Sequence, residues 1–300
     1  MALTVMRQEA GVMSPVHPAT LHHNCAAVEL TNENEPEVLG FLAERPIHTV
    51  FMASLIRDNR VESSRNRGSF FGCRDEDGCL VGVALIGHAN LIEARTEPSL
   101  KALARVAQNC NSAHLIRGER EMVRAFWNHY ASVHLEPRRV CNELMLEQRT
   151  PFLLRENISG LRQASLEDLN SVIEINSLMA TEEAGSNPLE RDPQGFIERT
   201  TRRIEQGRVW IWSREGKPIF KADIVADTPQ AVYLEGVYVH REERGKGYGL
   251  RCLTQLGWTL LTRAESICLT VNQRTNNNAA TFYYKAGYRL SSYYETIYLQ

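Results

Sequence analysis

The chain has 300 residues, 43% hydrophobic and 23% charged, with a formal net charge of −2. Such a composition suits a soluble globular chain with room for two ordinary domains, and the near-neutral charge argues against a general nucleic-acid binder. No apolar run approaches the roughly 20 residues that span a bilayer, and the opening MALTVMRQEAGVMSPVHPATLHHN lacks a continuous apolar signal core, so we expect a cytoplasmic protein with neither membrane nor nucleic acid as partner.

Residues 1–25 read as a tail, and AAVEL (26–30) as a first strand. Residues 35–59 carry two helical apolar patterns broken at Pro46. GSFFGCRDEDGCLVGVALIGHANLIEA (68–94) reads as strand, turn, strand, turn, strand, with Asp77-Gly78 as a hairpin signal. A helix is predicted over 97–110, a buried strand over 113–118, a helix over 119–131 and a closing strand over 138–148. RTPFLLREN (149–157) reads as a connector, after which the pattern restarts. A strand at 160–165 precedes helical stretches at 166–185 and 192–207. Residues 208–240 form three strands with turns at Glu215-Gly216 and Thr228-Pro229-Gln230. After a glycine-rich turn and a helix come a buried strand at 266–272, a helix at 277–287 and closing strands at 288–299. Both halves therefore repeat β-α-α-β-β-β-α-β-α-β, which predicts two related domains, 26–148 and 158–300.

Cys25, Cys73, Cys79, Cys110, Cys141, Cys252 and Cys268 are scattered, odd in number and free of any Cys-x-x-Cys. Cys73 and Cys79 flank a hairpin turn, but reduced thiols are the expectation for a cytosolic chain. His17, His22, His23 and Cys25 are metal-ligand types in a Pro-containing tail without recognised spacing, so no metal is expected.

HREERGKGYGLRCLTQLGWTLL (His240–Leu261) places Gly245, Gly247 and Gly249 directly before a helix-like leucine pattern. Glycines permit φ > 0 and close backbone approach. Opening a helix, they expose its unpaired N–H groups at the positive end of the dipole, which suits a phosphate. The competing reading is a flexible basic loop. A P-loop is excluded because Gly247 follows Lys246, and a dinucleotide fingerprint because its last glycine would fall on Leu250 or Cys252.

Arg244-Gly245-Lys246-Gly247-Tyr248-Gly249 resembles the acetyl-CoA motif Arg/Gln-x-x-Gly-x-Gly/Ala of the GNAT superfamily of N-acetyltransferases. The preceding YLEGVYVH resembles that family's strand, and LTVNQRTNNNAATFYYKAGYR its second block, through Asn276, Ala279, Tyr283, Lys285, Gly287 and Tyr288. The resemblance covers about residues 158–300. The first half resembles, by element order alone, the degenerate N-terminal domain of some two-domain bacterial members. The implied fold is α/β (α+β): two tandem GNAT-like domains, each a mixed, mostly antiparallel sheet flanked by helices.

The resemblance implies that backbone amides of Gly245, Lys246, Gly247, Tyr248, Gly249 and Leu250 hold the CoA pyrophosphate, with charge from Arg244 and Lys246. Lys246 also reads as a solvated surface lysine. Main-chain groups of Val237 and Val239, flanking Tyr238, would pair with the pantetheine arm, and the Val237 amide would face the thioester oxygen. Asn276 would bond the pantetheine arm or cap the following helix. Asn272, Ala279 and Lys285 belong to the same implied cofactor surface.

Transfer to an amine needs an ammonium of pKa near 10 to lose a proton and a departing thiolate to gain one. Tyr283 occupies the family's tyrosine-acid position and reads as the acid or as cleft packing. Tyr284 is turned about 100° away. Glu235, read by strand alternation, shares a side with Val237 and Val239. A carboxylate amid Val, Tyr and Leu reads as a base, directly or through water, or as a structural partner of a cation. Glu182 and Glu183, in a segment between the early helices, would hold a cationic amine or are simply solvated. The expectation is an acyl-CoA-dependent N-acyltransferase that passes an acyl group, acetyl foremost, to a primary amine by direct attack in a ternary complex, as monomer or homodimer. The alternative is a non-catalytic acyl-CoA sensor or scaffold.

Overall fold

Local signals set most element ends in the computed structural model, which describes residues 25–132, 135–152, 157–185, 187–273 and 277–299. The first half contains β1 (Ala27–Glu29), α1 (Glu35–Ala43), α2 (Pro46–Asn59), β2 (Gly68–Arg74), β3 (Leu80–Gly87), β4 (Ala89–Ala94), α3 (Glu97–Gln108), β5 (Leu115–Glu119), α4 (Arg120–Tyr130) and β6 (Arg139–Gln148). The second contains β7 (Arg162–Gln163), α5 (Leu169–Ala184), α6 (Pro188–Arg191), α7 (Pro193–Glu205), β8 (Val209–Arg214), β9 (Lys217–Asp227), β10 (Ala231–Val239), α8 (Tyr248–Leu260), β11 (Ser266–Asn272), α9 (Asn277–Lys285) and β12 (Arg289–Tyr298). The expected element order holds, with α6 as an added single turn. Pro46 interrupts the helical pattern by starting α2, where its missing N–H costs nothing. Glu215 and Gly216, both at positive φ, turn β8 into β9 as a two-residue hairpin demands. Cys73 is buried, Cys79 is exposed, and all seven cysteines are free.

Alternation along the strands divides the core into two layers. Ala84 and Ile86 pack under α3 and α4, whereas Val83 and Leu85 pack under α1 and α2. In the second half Val232 and Leu234 face α8 and α9. Ala231 and Tyr233 face the other way, against Ile47 and Val50 of α2. Helix α2 therefore covers sheet from both halves. Asp58 at its end pairs with Arg208 at 2.6 Å, and Ser54 accepts from the Asp227 amide at 2.9 Å.

The two sheets expected separately are joined into one of twelve strands, in the order β1-β2-β3-β4-β5-β12-β6-β11-β10-β9-β8-β7. Its character is mixed and mostly antiparallel, with parallel pairs only at β4–β5 and β10–β11 among the described strands. The closing strands cross over: β6 runs from Gln148↔Ile267 to Glu143↔Asn272 along β11, and β12 from Tyr294↔Glu119 to Tyr298↔Leu115 along β5. The closing strands expected over 288–299 are a single strand, β12, with an irregularity between Leu290 and Ser292. Each half thus lends its last strand to the other.

Candidate active site

Strands β10 and β11 run together only at their beginnings, where Ala231, Val232 and Tyr233 pair with Ser266, Ile267 and Cys268. Beyond Tyr233, β10 follows β9 and β11 follows β6. The strands part, leaving a fork between residues 234–239 and 269–272.

The β10 edge of this fork is shaped by a bulge. Glu235 lies opposite Asp223 and Tyr238 opposite Lys221, so three steps on β10 span two on β9, with Gly236 at φ 58°. The extra residue reverses the alternation. Glu235 therefore shares its face with Tyr233 and Tyr238, and Val237 and Val239 turn to the opposite face, against the α8–α9 core. This corrects the simple alternation that put Glu235 beside the two valines, and Glu235 is exposed rather than buried. The His240 amide donates to Ile219 O of β9 at 2.9 Å, so the main-chain groups of alternate residues Val237 and Val239 point into the fork. The Val239 carbonyl is already taken by Arg244 Nε at 3.0 Å.

Helix α8 begins at the open end of the fork. Gly245 and Gly247 lie at φ 79° and 82°, and Gly247 is the N-cap. The first-turn amides of Tyr248, Gly249 and Leu250 have no carbonyl of their own helix to donate to. A Cβ at Gly249 would lie 2.6 Å from Val239 Cγ2, so glycine lets the helix start sit directly on β10. These features fit a pyrophosphate cradle. Lys246 is exposed and pairs with Glu243 at 3.0 Å. The Tyr248 ring lies 5.1 Å from Trp212, and its hydroxyl accepts from Arg214 at 3.2 Å.

On the α8–α9 face, Tyr283 packs edge-on against Phe282 and Tyr288, with centroids at 5.2 and 5.7 Å. Tyr288 is fully buried, and burial first, then Tyr283, pushes its hydroxyl well above the ordinary phenol pKa. Tyr284 is exposed, as the helical step requires. Ala279 packs on the same core, Asn272 ends β11 opposite Glu143, and Lys285 is exposed. Asn276 and the side chain of Glu183 lie outside the described residues. Glu182 stands in the last turn of α5 rather than in a loop, because the helix continues to Ala184. It is exposed, and its charge reaches Tyr238, whose hydroxyl is raised by burial first and by Glu182 and Glu174 as well.

Two groups at this site escaped the sequence reading. Lys221, with no exposed surface, donates to Asp223 at 2.8 Å, to Asn176 and to the bulged Gly236 carbonyl at 3.3 Å. Burial holds its pKa below the ordinary lysine value, although Asp223 opposes this. Arg203 reaches the same Asp223 oxygen at 3.2 Å. Arg117, from the first half, donates to Tyr233 and Thr270 at 2.7 Å each. The available signal was a charged side chain inside an otherwise apolar strand, as in PIFKADIV and AHLIRG.

The corresponding fork of the first half is stapled shut. Arg45 bridges Glu93 of β4 at 3.2 Å and Glu119 of β5 at 2.5 Å, and Arg95 also pairs with Glu93 at 3.0 Å. Its helix α3 starts with Thr96 accepting from the Ser99 amide instead of with a glycine turn.

Among the described residues, no group of three or more His, Cys, Asp or Glu side chains is arranged for a metal, and no helix is long and apolar enough to cross a membrane. No curated protein matches the sequence. A family model described as Acetyltransferase (GNAT) domain matches residues 205–290, and that family uses acetyl-CoA as its cosubstrate. Among solved structures, the fold is similar to a GNAT-family acetyltransferase from Colwellia psychrerythraea, at 15% identity and TM-score 0.54, covering 91% of this chain and 99% of that one. It is similar to a Drosophila protein, at 10% identity and TM-score 0.64, covering 92% and 99%. It is also similar to a tandem GNAT protein from the clavulanic acid biosynthesis pathway, at 13% identity and TM-score 0.57, covering 91% and 98%. Residues 205–290 thus match a GNAT acetyltransferase domain, in a molecule whose fold is similar to that of a tandem GNAT protein.

Proposed function

We propose that the protein is an N-acyltransferase that moves an acyl group, acetyl foremost, from CoA to a primary amine by direct attack in a ternary complex, with residues 158–300 as the acting domain and 26–148 as its companion. The observation that carries this reading is the β10–β11 fork opening onto the glycine turn of α8. Amides of residues 245–250 would hold the pyrophosphate, assisted by Arg244 and Lys246, and the fork-facing groups of Val237 and Val239 the pantetheine arm. Asn272, Asn276, Ala279 and Lys285 would complete that surface. When bound, acetyl-CoA supplies an activated acyl group on a thiol leaving group.

The chain's own groups suggest a division of labour across the sheet. Glu235 stands on the α2–α5 face with Tyr233 and Tyr238, whereas Tyr283 stands on the α8–α9 face. An amine entering from the first face would give a proton to Glu235, directly or through water. The Val237 amide would donate to the acyl oxygen, and Tyr283 would protonate sulfur leaving toward the second face. Glu182, with Glu183 beside it, would draw a cationic acceptor toward Tyr238.

Release of free thiol from acetyl-CoA against a panel of amines tests this. Amine-dependent release, with the acetylated amine found by mass spectrometry, is expected. Tight acetyl-CoA binding without release for any amine would instead make the protein a sensor or scaffold.

A further inference from the structure

At the closed end of the fork, groups from both halves meet around Arg117 of β5. Tyr233 is the last β10 residue paired with β11, and Thr270 lies two residues past that pair on β11. Arg117 Nη2 lies 2.7 Å from both Tyr233 Oη and Thr270 Oγ1, which are themselves 2.7 Å apart. Thr270 donates to Glu143 Oε1 at 3.1 Å, and Thr296 to Glu143 Oε2 at 2.9 Å. A threonine hydroxyl has one proton to give, so the Tyr233 hydroxyl donates to Thr270, and both oxygens accept from Arg117. The Glu143 carboxylate stands 3.7 Å from Arg117 Nε. The guanidinium also lies 5.4 Å from the Phe51 ring of α2 and 5.6 Å from that of Tyr233.

Arg117, Glu143 and Phe51 all belong to the first half; Tyr233, Thr270 and Thr296 belong to the second. The Arg117 side chain is only 20% exposed. Burial works against its charge, and the facing Tyr233, Glu143 and Glu235 outweigh it, holding the pKa above the ordinary arginine value. A single planar donor therefore ties β10 to β11 where the two strands separate. A lysine, with a compact charge and no fork of donors, would not reproduce it.

We propose that Arg117 is a positioning residue that the first half supplies to the second, setting the angle at which β10 and β11 part and hence where the Val237 amide stands. This rests on the acyltransferase reading of the fork. It gives the first half a role in the reaction although its own fork is closed. Misplacing a reacting geometry by about 1 Å costs on the order of 100-fold.

The test uses the full chain and acetyl-CoA with the best amine from the panel. Tyr233→Phe removes one hydroxyl and keeps the packing, so it guards against an Arg117→Gln variant that fails to fold with Glu143 left uncompensated. Both variants are expected to lower kcat about 10- to 100-fold, with a smaller change in KM for the amine. Arg117→Lys is expected to recover only part of the loss. The double variant Arg117→Lys/Tyr233→Phe is expected to lose less than the product of the single losses. Folded Arg117→Lys and Tyr233→Phe proteins with a lowered Tm but wild-type kcat would overturn the proposal, since Arg117 would then only bind the halves together. If the wild-type chain itself releases no thiol, the acyltransferase reading has failed and the positioning role falls with it.

Discussion

Gly247 and Gly249 contribute to the proposed cradle in different ways. Gly249 is needed for space against Val239, whereas a Cβ at Gly247 would meet open space and only its φ of 82° demands glycine. An L-residue in that region costs about 1–2 kcal/mol. Gly247→Val should therefore shift the helix start and weaken acetyl-CoA binding at least about tenfold while the protein stays folded, as titration calorimetry would show; unchanged affinity would refute the cradle. Tyr283→Phe keeps the ring contacts with Phe282 and Tyr288 and should lower kcat by about 10²- to 10⁴-fold, with little effect on acetyl-CoA affinity. Glu235→Gln should depress activity most at low pH, where an amine of pKa near 10 is most protonated, and recover as pH rises. Full activity of Tyr283→Phe with chemistry rate-limiting would leave the phenol a packing group.

Among the elements, β10 carries the most information. Its bulge moves Glu235 to one face and the main chain of Val237 to the fork edge, and Lys221 holds the bulged carbonyl from beneath. Removing one partner of a buried ion pair typically costs about 3–5 kcal/mol because the remaining charge stays buried. Lys221→Met should destabilise the protein by an amount in that range in denaturant unfolding, moderated by Arg203 on the same Asp223 oxygen. A change under about 1 kcal/mol would mean that the bulge needs no such support.

At the scale of the whole molecule, the exchanged strands make the halves mutually dependent. Without β6, β11 would expose the edge from Ile267 to Asn272, and without β12, β5 would expose its own. Unpaired edges invite aggregation or pairing with another chain. Residues 149–300 expressed alone should therefore be aggregated or dimeric by light scattering, and co-expression with residues 1–148 should restore a soluble one-to-one complex that binds acetyl-CoA. A monomeric, acetyl-CoA-binding fragment of residues 149–300 would show that the second half completes its own sheet.

The sequence by itself determined what local chemistry encodes. Periodicity, Pro46 and the Glu215-Gly216 turn specify the element order, and the glycines before α8 specify a glycine-capped helix start with unpaired first-turn amides, because turns, caps and positive φ depend on neighbours in the chain. Only the tertiary structure decided where the last strands lie, because the apolar patterns of β6 and β12 suit either neighbour and say nothing of which edge they join. It likewise decided the face of Glu235, since one bulge residue inverts a period of two. The partnership of Arg117 with Tyr233 and Thr270 joins positions 116 and 153 residues apart, and no pattern within either strand encodes that meeting.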